Sequence, residues 1–292
     1  MIVVTGASGR LGGRIAREVL DRVAPDRVRL VTRDPARLDL PGVPVARADF
    51  DEPGSLAEAF AGGSVLMLVS TDTIADRAAQ HARAIDAARD AGVRRVVYTS
   101  MISPGTENPA LIAESHRATE EHLRASGIEW TILRCGFYAD FQVFEAAEAL
   151  GSGRLVHNRG DGRCAYVARA DIARAAAAVL VEDGHDGAMY ELTGPESLSA
   201  DELAELYSRV GGRPVEPVSL DDDAYLRALG GATDGHVQYG LALAVSLGQA
   251  MRLGLHAAVT DDIERLTGRA PQRVADLLET EASSLRAAPR PT

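Results

Sequence analysis

Residues 1–5 read as a short apolar strand that runs straight into Gly6-Ala7-Ser8-Gly9-Arg10-Leu11-Gly12. Residues 11–23 follow as a helix, with Leu11, Ile15, Val19 and Val23 recurring on one face. The glycines fall at 6, 9 and 12, and each suits a different need. Gly6 permits a tight turn, Gly9 lets backbone amides approach a pyrophosphate, and Gly12 allows helix and strand to pack closely. The helix N-terminus adds oriented N–H groups and a partial positive charge. Three glycines in a turn also suit an ordinary strand-to-helix link. In a strand–turn–helix context at the start of a chain, the spacing predicts a dinucleotide-binding turn.

The pattern then repeats. Strands are expected at 28–32, 43–46, 65–69, 96–99 and 130–133, with helices at 55–60 (Ser55 as N-cap), 76–91 and 114–126. Strand and helix alternating through short links imply right-handed crossovers and an α/β fold, a Rossmann-type doubly wound parallel sheet. Beyond about residue 145 the rhythm loosens into helices at 170–181, 200–210, 222–229, 261–266 and 271–282. The expected division is a nucleotide-binding lobe over 1–150, receiving further elements from 165–195, and a small, mostly helical substrate-binding lobe over 196–292. The Arg- and Pro-containing tail after residue 285 is expected to fray.

Composition narrows the chemistry. All 31 basic residues are arginine, so Schiff-base catalysis, a catalytic lysine and a phosphate-loop lysine are excluded. The formal charge of −11 argues against nucleic acid or an anionic membrane surface as direct partners. No run approaches the ~20 apolar residues of a membrane span, and the opening strand leaves no room for a signal peptide, so a cytoplasmic setting is expected. Cys135 and Cys164 are too few for a disulfide scaffold or a zinc site, and Cys135 reads as a small buried hydrophobe. Asp221-Asp222-Asp223 reads as a helix start and not as a metal site.

The end of the second strand, Val31-Thr32-Arg33-Asp34, bears on which dinucleotide binds. Arg33 suits a bidentate grip on a 2′-phosphate, whereas Asp34 suits ribose hydroxyls. The balance favours NADPH, with Arg10 adding to the positive pocket. Asp49-Phe50-Asp51 is placed to border the adenine, although Asp51 equally suits the cap of the next helix.

A short-chain reductase usually protonates its substrate with the Tyr of a Tyr-x-x-x-Lys pair, and this chain has no lysine. The corresponding place holds His116-Arg117-Ala118-Thr119-Glu120. Here the sequence resembles the NmrA-like atypical short-chain dehydrogenase/reductases, and within them the type 2 NADPH:quinone oxidoreductases. The glycine turn, Arg33-Asp34-Pro35, Arg77-Ala78-Ala79-Gln80-His81 and Tyr98-Thr99-Ser100 carry the likeness. So do His116 with Thr119-Glu120, Leu133-Arg134 before Gly136-Phe137-Tyr138, Arg169-Ala170-Asp171 and Tyr190-Glu191-Leu192-Thr193-Gly194. The likeness runs to about residue 215 and returns at Leu266-Thr267-Gly268-Arg269.

The resemblance implies an NADPH-binding Rossmann lobe, a small C-terminal lobe and a substrate cleft between them. It places Gly6, Ala7, Ser8, Gly9, Arg10, Leu11, Arg33, Thr71, Asp72, Thr73, Arg77, Gly136, Phe137, Tyr138 and Arg169 against the cofactor. The chain departs from such quinone reductases near the substrate pocket, with Cys135, Asp140 and Phe141 where asparagines usually stand. Two roles are open to Tyr138, a hydrogen-bond donor to a substrate oxygen or packing against the second lobe. His116 is a second catalytic candidate, while Glu120 reads as part of a solvated face. Residues 229–260, around Tyr239 and His256, are expected to shape the substrate pocket.

The leading expectation is NADPH-dependent hydride transfer to a small-molecule quinone or quinone-like conjugated carbonyl. Such an acceptor needs little general-acid help, which makes the missing Tyr-Lys pair tolerable. A non-enzymatic NADP-binding redox sensor and a tailoring reductase of an aromatic natural-product pathway are the alternatives. A homodimer is left open.

Overall fold

A computed structural model describes residues 1–73, 76–230 and 235–287. The chain runs through β1 (Ile2–Val4), α1 (Arg10–Leu20), β2 (Val28–Thr32), β3 (Val45–Arg47), α2 (Pro53–Phe60), β4 (Val65–Leu68) and α3 (Arg77–Asp90). Next come β5 (Arg95–Met101), α4 (Ala113–Ala125), β6 (Glu129–Cys135), α5 (Phe141–Ser152), β7 (Arg154–His157), α6 (Arg169–Val181) and β8 (Ala188–Leu192). The remainder is α7 (Ala200–Gly211), β9 (Glu216–Ser219), α8 (Asp222–Ala228), α9 (Gly235–Arg252), α10 (Asp262–Thr267), α11 (Val274–Thr280) and α12 (Ala282–Arg286).

Seven strands form one sheet in the order β3-β2-β1-β4-β5-β6-β8, and every pairing in it is parallel. Parallel strands covered on both faces are apolar throughout, as Val65-Leu66-Met67-Leu68 shows. One face is covered by α1 and α6, whose cluster includes Ile15, Val19, Ile172 and Val179. The alanines of α6 let it lie close against α1. The opposite face is covered by α2, α3 and α4 through Phe60, Ile85 and Leu123. This is the doubly wound Rossmann-type architecture expected from the alternation. Strand order reverses between β1 and β4, and ligands of such sheets bind outside the carboxyl ends at that point.

A second core joins Leu150, Leu155, Leu203, Tyr207, Leu278 and Leu285. It therefore draws on α5 and β7, which the division at 150 had divided between the first lobe and the segment after it. The apolar face of α5 has its partners on α7 and α11, far along the chain. β7 pairs with β9 in a separate parallel ribbon, so the small lobe is not wholly helical. α10, expected in the small lobe, packs instead on α6 and β8 of the main sheet.

Local differences have local causes. α2 begins at Pro53, whose fixed φ suits a first helical position, and not after a Ser55 cap. The Ser55 hydroxyl instead accepts from the Asp49 N–H (3.0 Å) and donates to the Glu52 carbonyl (2.7 Å). Asp51 does not cap α2 either, because its carboxylate is taken by Gln80 and Arg83. The helix expected over 271–282 is two short ones, α11 and α12. Asp221 caps α8 by accepting from the Ala224 N–H (2.7 Å). Residues 231–234 of the expected pocket-shaping segment, and 288–292 of the tail, lie outside the described residues. Among those described, no helix is long and apolar enough to cross a membrane, and no three candidate metal ligands cluster.

Candidate cofactor and substrate cleft

A cleft of about 490 Å³ opens at the β1/β4 reversal. Its floor is the glycine turn. Gly6 has φ +62°, a left-handed conformation that glycine adopts without strain, and its carbonyl accepts from the Gly9 N–H (2.8 Å). The Ser8 and Thr32 hydroxyls meet at 2.7 Å and tie the turn to the end of β2. Gly6, Ser8, Gly9, Arg10 and Leu11 line the cleft. Ala7 does not. It is buried, and its N–H donates to the Val31 carbonyl (3.2 Å).

The β2 end decides between Arg33 and Asp34. Asp34 Oδ1 accepts from the Ala36 N–H (3.1 Å) and so caps the 3-10 turn Pro35–Arg37. Arg33 lines the cleft, and that same turn brings Arg37 to the wall beside it. Arg37 was not foreseen, since nothing in the local pattern separates it from any other surface arginine. Asp49 and Phe50, after β3, border the same end of the cleft.

The loop after β4 is held amide by amide from three different elements. The Val69 N–H donates to Thr5 Oγ1 (3.1 Å), the Ser70 N–H to Thr99 Oγ1 (2.9 Å) and the Thr71 N–H to His81 Nε2 (3.1 Å). Arg77 Nε donates to the Thr71 carbonyl (2.9 Å), so residues four apart on α3 grip both sides of Thr71. Thr71, Asp72 and Thr73 are thereby presented to the cleft, and Arg77 stands behind them instead of lining it. Because His81 Nε2 accepts, Nδ1 carries the proton and donates to Thr119 Oγ1 (3.0 Å), whose hydroxyl donates to the Ser115 carbonyl (2.8 Å). Burial, helped by Arg77, pushes the His81 pKa down to about 3. Replacing His81 by alanine is expected to raise the cofactor KM roughly tenfold with kcat changed less than twofold, as one buried hydrogen bond is lost from a positioning role. Steady-state kinetics reads the split, and a proportionate fall in kcat would contradict it.

On the far wall, the segment after β6 is clamped to the strand-like stretch before α6. The Ala139 N–H donates to the Val167 carbonyl (2.8 Å), and the Val167 N–H to the Phe137 carbonyl (2.9 Å). A Cβ on Gly136 would lie 3.1 Å from the Ala165 carbonyl oxygen, so a close backbone approach fixes that glycine. Gly136 is buried, and Phe137 packs edge-on against Tyr166. Neither lines the cleft, whereas Tyr138 does. The Arg169 guanidinium lies 4.4 Å from the Tyr138 ring centroid and 4.8 Å from that of Phe141, with the two rings parallel within 5°. Asp140 accepts from the Arg169 N–H (2.9 Å) and pairs with its side chain. Burial raises the Tyr138 pKa, and Cys135 adds to the shift against the lowering by Arg169 and Arg77. Tyr138 is therefore a neutral phenol near pH 7, able to donate.

His116 and Glu120 both face the sheet, but neither reaches the cleft lining. His116 Nδ1 meets the Tyr98 hydroxyl at 2.7 Å, and burial drives its pKa well below the ordinary value. Glu120 is 1% exposed, not solvated as its helix pattern suggested. Ser100 donates to it (2.7 Å), and Arg134 and Arg124 pair with it. Burial raises its pKa, but these three partners together bring it below the usual carboxylate range.

Buried histidines contribute to the acid response of the molecule. His256 is 2% exposed, neither ring nitrogen has a partner among the described residues, and burial lowers its pKa to about 4. For His81, His116 and His256 the folded pKa lies below the unfolded one, so the unfolded chain takes protons first. Their stability contribution is full above about pH 6.5 and declines as pH falls towards 4 and below. His81 and His256 are each expected to cost about 2 kcal/mol by pH 5 relative to pH 7. Urea unfolding midpoints should drop steeply over that interval, and a flat profile would contradict the buried neutral state.

A second groove of about 520 Å³ continues from the cleft between α1 and α6, sharing Gly9, Arg10 and Arg169 and adding Arg14 and Arg17. Arginines thus cluster at the glycine turn of an otherwise acidic chain, with Glu18 and Asp140 among them. A family model described as NAD(P)H-binding matches residues 6–183. The chain belongs to the NAD(P)H-binding family. Quinone oxidoreductase 2 of Escherichia coli is 35% identical over 232 residues, covering 78% of this chain and 81% of that protein. The structure of an NADPH-dependent quinone oxidoreductase from Escherichia coli complexed with NADPH superposes with a TM-score of 0.90 at 31% identity, covering 96% of this chain and 99% of the other. Triphenylmethane reductase of Citrobacter sp. complexed with NADP(H) gives 0.87 at 30% identity, covering 97% of this chain and 100% of the other.

The cleft fits the cofactor class of the NAD(P)H-binding family on its own chemistry. Thr71 and Gln80 line it, and the buried Thr71 Oγ1 and Gln80 Oε1 have no partner among the described residues. Gln80 was quoted in the family motif without a role. Its signal, a buried amide on the cleft side of α3, exists only in the folded chain.

Proposed function

We infer that this chain is an NADPH-dependent reductase that passes hydride to a quinone or similarly conjugated acceptor. The observation carrying the reading is the pairing of Arg33 and Arg37 at one end of the cleft with the neutral Tyr138 phenol at the other wall. NADPH supplies the hydride when bound. Gly6, Gly9 and Arg10 would hold the pyrophosphate, while Arg33 and Arg37 would take the 2′-phosphate. The clamped loop at Thr71 and the Arg169-backed Tyr138 confine the reacting end and exclude water. Tyr138 donates a hydrogen bond to the acceptor oxygen as charge develops there. A quinone needs little more, which fits a chain with no lysine. The quinone oxidoreductases support a quinone acceptor, and the triphenylmethane reductase supports a conjugated one.

NADPH oxidation by the purified protein, without added flavin, against a panel of simple quinones tests this directly. Turnover with NADPH well above NADH is the expected result. Saturable NADPH binding with no turnover would favour an NADP-binding sensor instead. Within the enzyme reading, Tyr138→Phe is expected to lower kcat roughly tenfold with the cofactor KM unchanged, since the ring that meets Arg169 is kept and only the donor is lost. An unchanged kcat would assign Tyr138 to packing alone. A cytoplasmic monomer or homodimer fits equally, and sedimentation velocity separates the two assemblies.

A further inference from the structure

Helix α1 carries arginine at positions 10, 14 and 17, spacings of four and three that set all three on one face. They line the groove of about 520 Å³ between α1 and α6, which meets the cofactor cleft at Gly9, Arg10 and Arg169. The row does nothing for the helix. Cations in the first turn oppose its dipole, and like charges one turn apart repel. Nor does the row hold the fold together. Arg10 and Arg14 have no hydrogen-bond or ion-pair partner among the described residues, and Arg17 reaches only the Gly13 carbonyl of its own helix (3.4 Å). The two acids of the groove are already engaged. Glu18 accepts from Arg22 (2.8 Å), and Asp140 accepts from the Arg169 N–H (2.9 Å) and pairs with its guanidinium. Three arginines without a counter-ion therefore set the sign of the groove.

The formal charge of the whole chain is −11, so a polyanion is repelled at long range and gains from a local path of opposite sign. The arginine row is such a path, and it ends at the glycine turn. With a rise of about 1.5 Å per residue, Arg14 and Arg17 stand about 6 and 10 Å along α1 from Arg10. Charges at that range act on an arriving phosphate through their field, within a Debye length of about 10 Å at 0.1 M salt. A charge outside the contact acts almost alike on the encounter complex and on the bound one, so it changes the rate of arrival and leaves the rate of departure. We propose that Arg14 and Arg17 steer the anionic cofactor into the cleft, raising its rate of association without contacting it once bound. This assignment rests on the NADPH reading, since NADPH brings its pyrophosphate and 2′-phosphate as one polyanion.

Stopped-flow mixing of the full chain with NADPH, followed by nicotinamide fluorescence with no acceptor present, separates the two rates. At about 10 mM ionic strength, where the Debye length is about 30 Å, Arg14→Glu/Arg17→Glu is expected to associate roughly tenfold more slowly than wild type, with koff within about twofold. At about 1 M salt the difference should vanish. The neutral pair Arg14→Gln/Arg17→Gln should fall between the two, and an unchanged koff shows in each case that the cleft is intact. Arg154→Glu/Arg227→Glu makes the same change of net charge on exposed arginines of the small lobe that line neither cavity. It should associate within about threefold of wild type. A wild-type association rate in Arg14→Glu/Arg17→Glu at low salt would overturn the proposal, and so would equal slowing in the remote pair, which would assign the effect to net charge. A loss carried by koff would overturn it too and put Arg14 or Arg17 in contact with the bound cofactor. Failure of the underlying reading has its own signature, no saturable fluorescence change in the wild type at any salt.

Discussion

Replacing Arg33 by glutamate is expected to weaken NADPH binding by roughly a hundredfold while leaving NADH binding close to wild type. Arg33 lines the cleft beside Arg37, and Asp34 is withdrawn by capping Ala36. A charge-assisted bidentate contact to phosphate contributes about 1.5–3 kcal/mol. Reversal to a carboxylate adds repulsion against a dianion, partly screened because Arg33 is exposed. Arg37 remains, so the double variant with Arg37→Glu should lose further affinity, and Arg33→Ala should lose less than Arg33→Glu. Titration of both cofactors against each variant reads this out. NADPH affinity equal to wild type in Arg33→Glu would remove Arg33 from the 2′-phosphate.

Of the three glycines of the cofactor turn, Gly12 should tolerate an added methyl least. A Cβ there would sit 2.2 Å from the Gly6 carbonyl oxygen, 2.6 Å from its carbon and 3.0 Å from the Thr5 oxygen. These are backbone atoms of the turn itself, so relief requires α1 to move away from β1 or the Gly6 peptide to rotate. Either motion spoils the cradle. The expected cost is about 2–4 kcal/mol of stability, together with loss of measurable cofactor binding. Gly54→Ala is the matched control, in a helix with nothing within 4 Å of the added Cβ. It should be neutral or stabilising by about 0.5–1 kcal/mol. Urea midpoints of the two variants give the contrast, and a Gly12→Ala protein as stable as wild type would mean the turn yields more easily than its geometry implies.

The glycine turn was legible because its requirements are local. Gly6 has a left-handed φ, Gly12 has no room for a Cβ, and both constraints act within a dozen residues. The strands were legible for a similar reason, since apolar runs such as residues 65–68 bounded by turns have few other uses. Glu120 shows the opposite case. Its helix alternates Glu, Arg and His as a solvated face does, yet α4 sets Glu120 against Arg134 of β6 and Ser100 of β5. Nothing within one helical turn signals those partners, apart from Arg124. α5 was missed altogether, because its apolar face is completed only by α7 and α11.

By itself, then, the sequence determined the nucleotide-binding half. The order of strands and helices, the glycine turn and the lack of any lysine follow from residue type and short-range spacing. The tertiary structure decided which of Arg33 and Asp34 faces the cleft, that His81 and Arg77 grip Thr71, and that Gln80 is buried against Asp51. Each of these depends on a partner that a parallel crossover brings from another part of the chain. Hydrophobic periodicity reports which face of an element is buried, whereas a hydrogen bond depends on what that face is buried against.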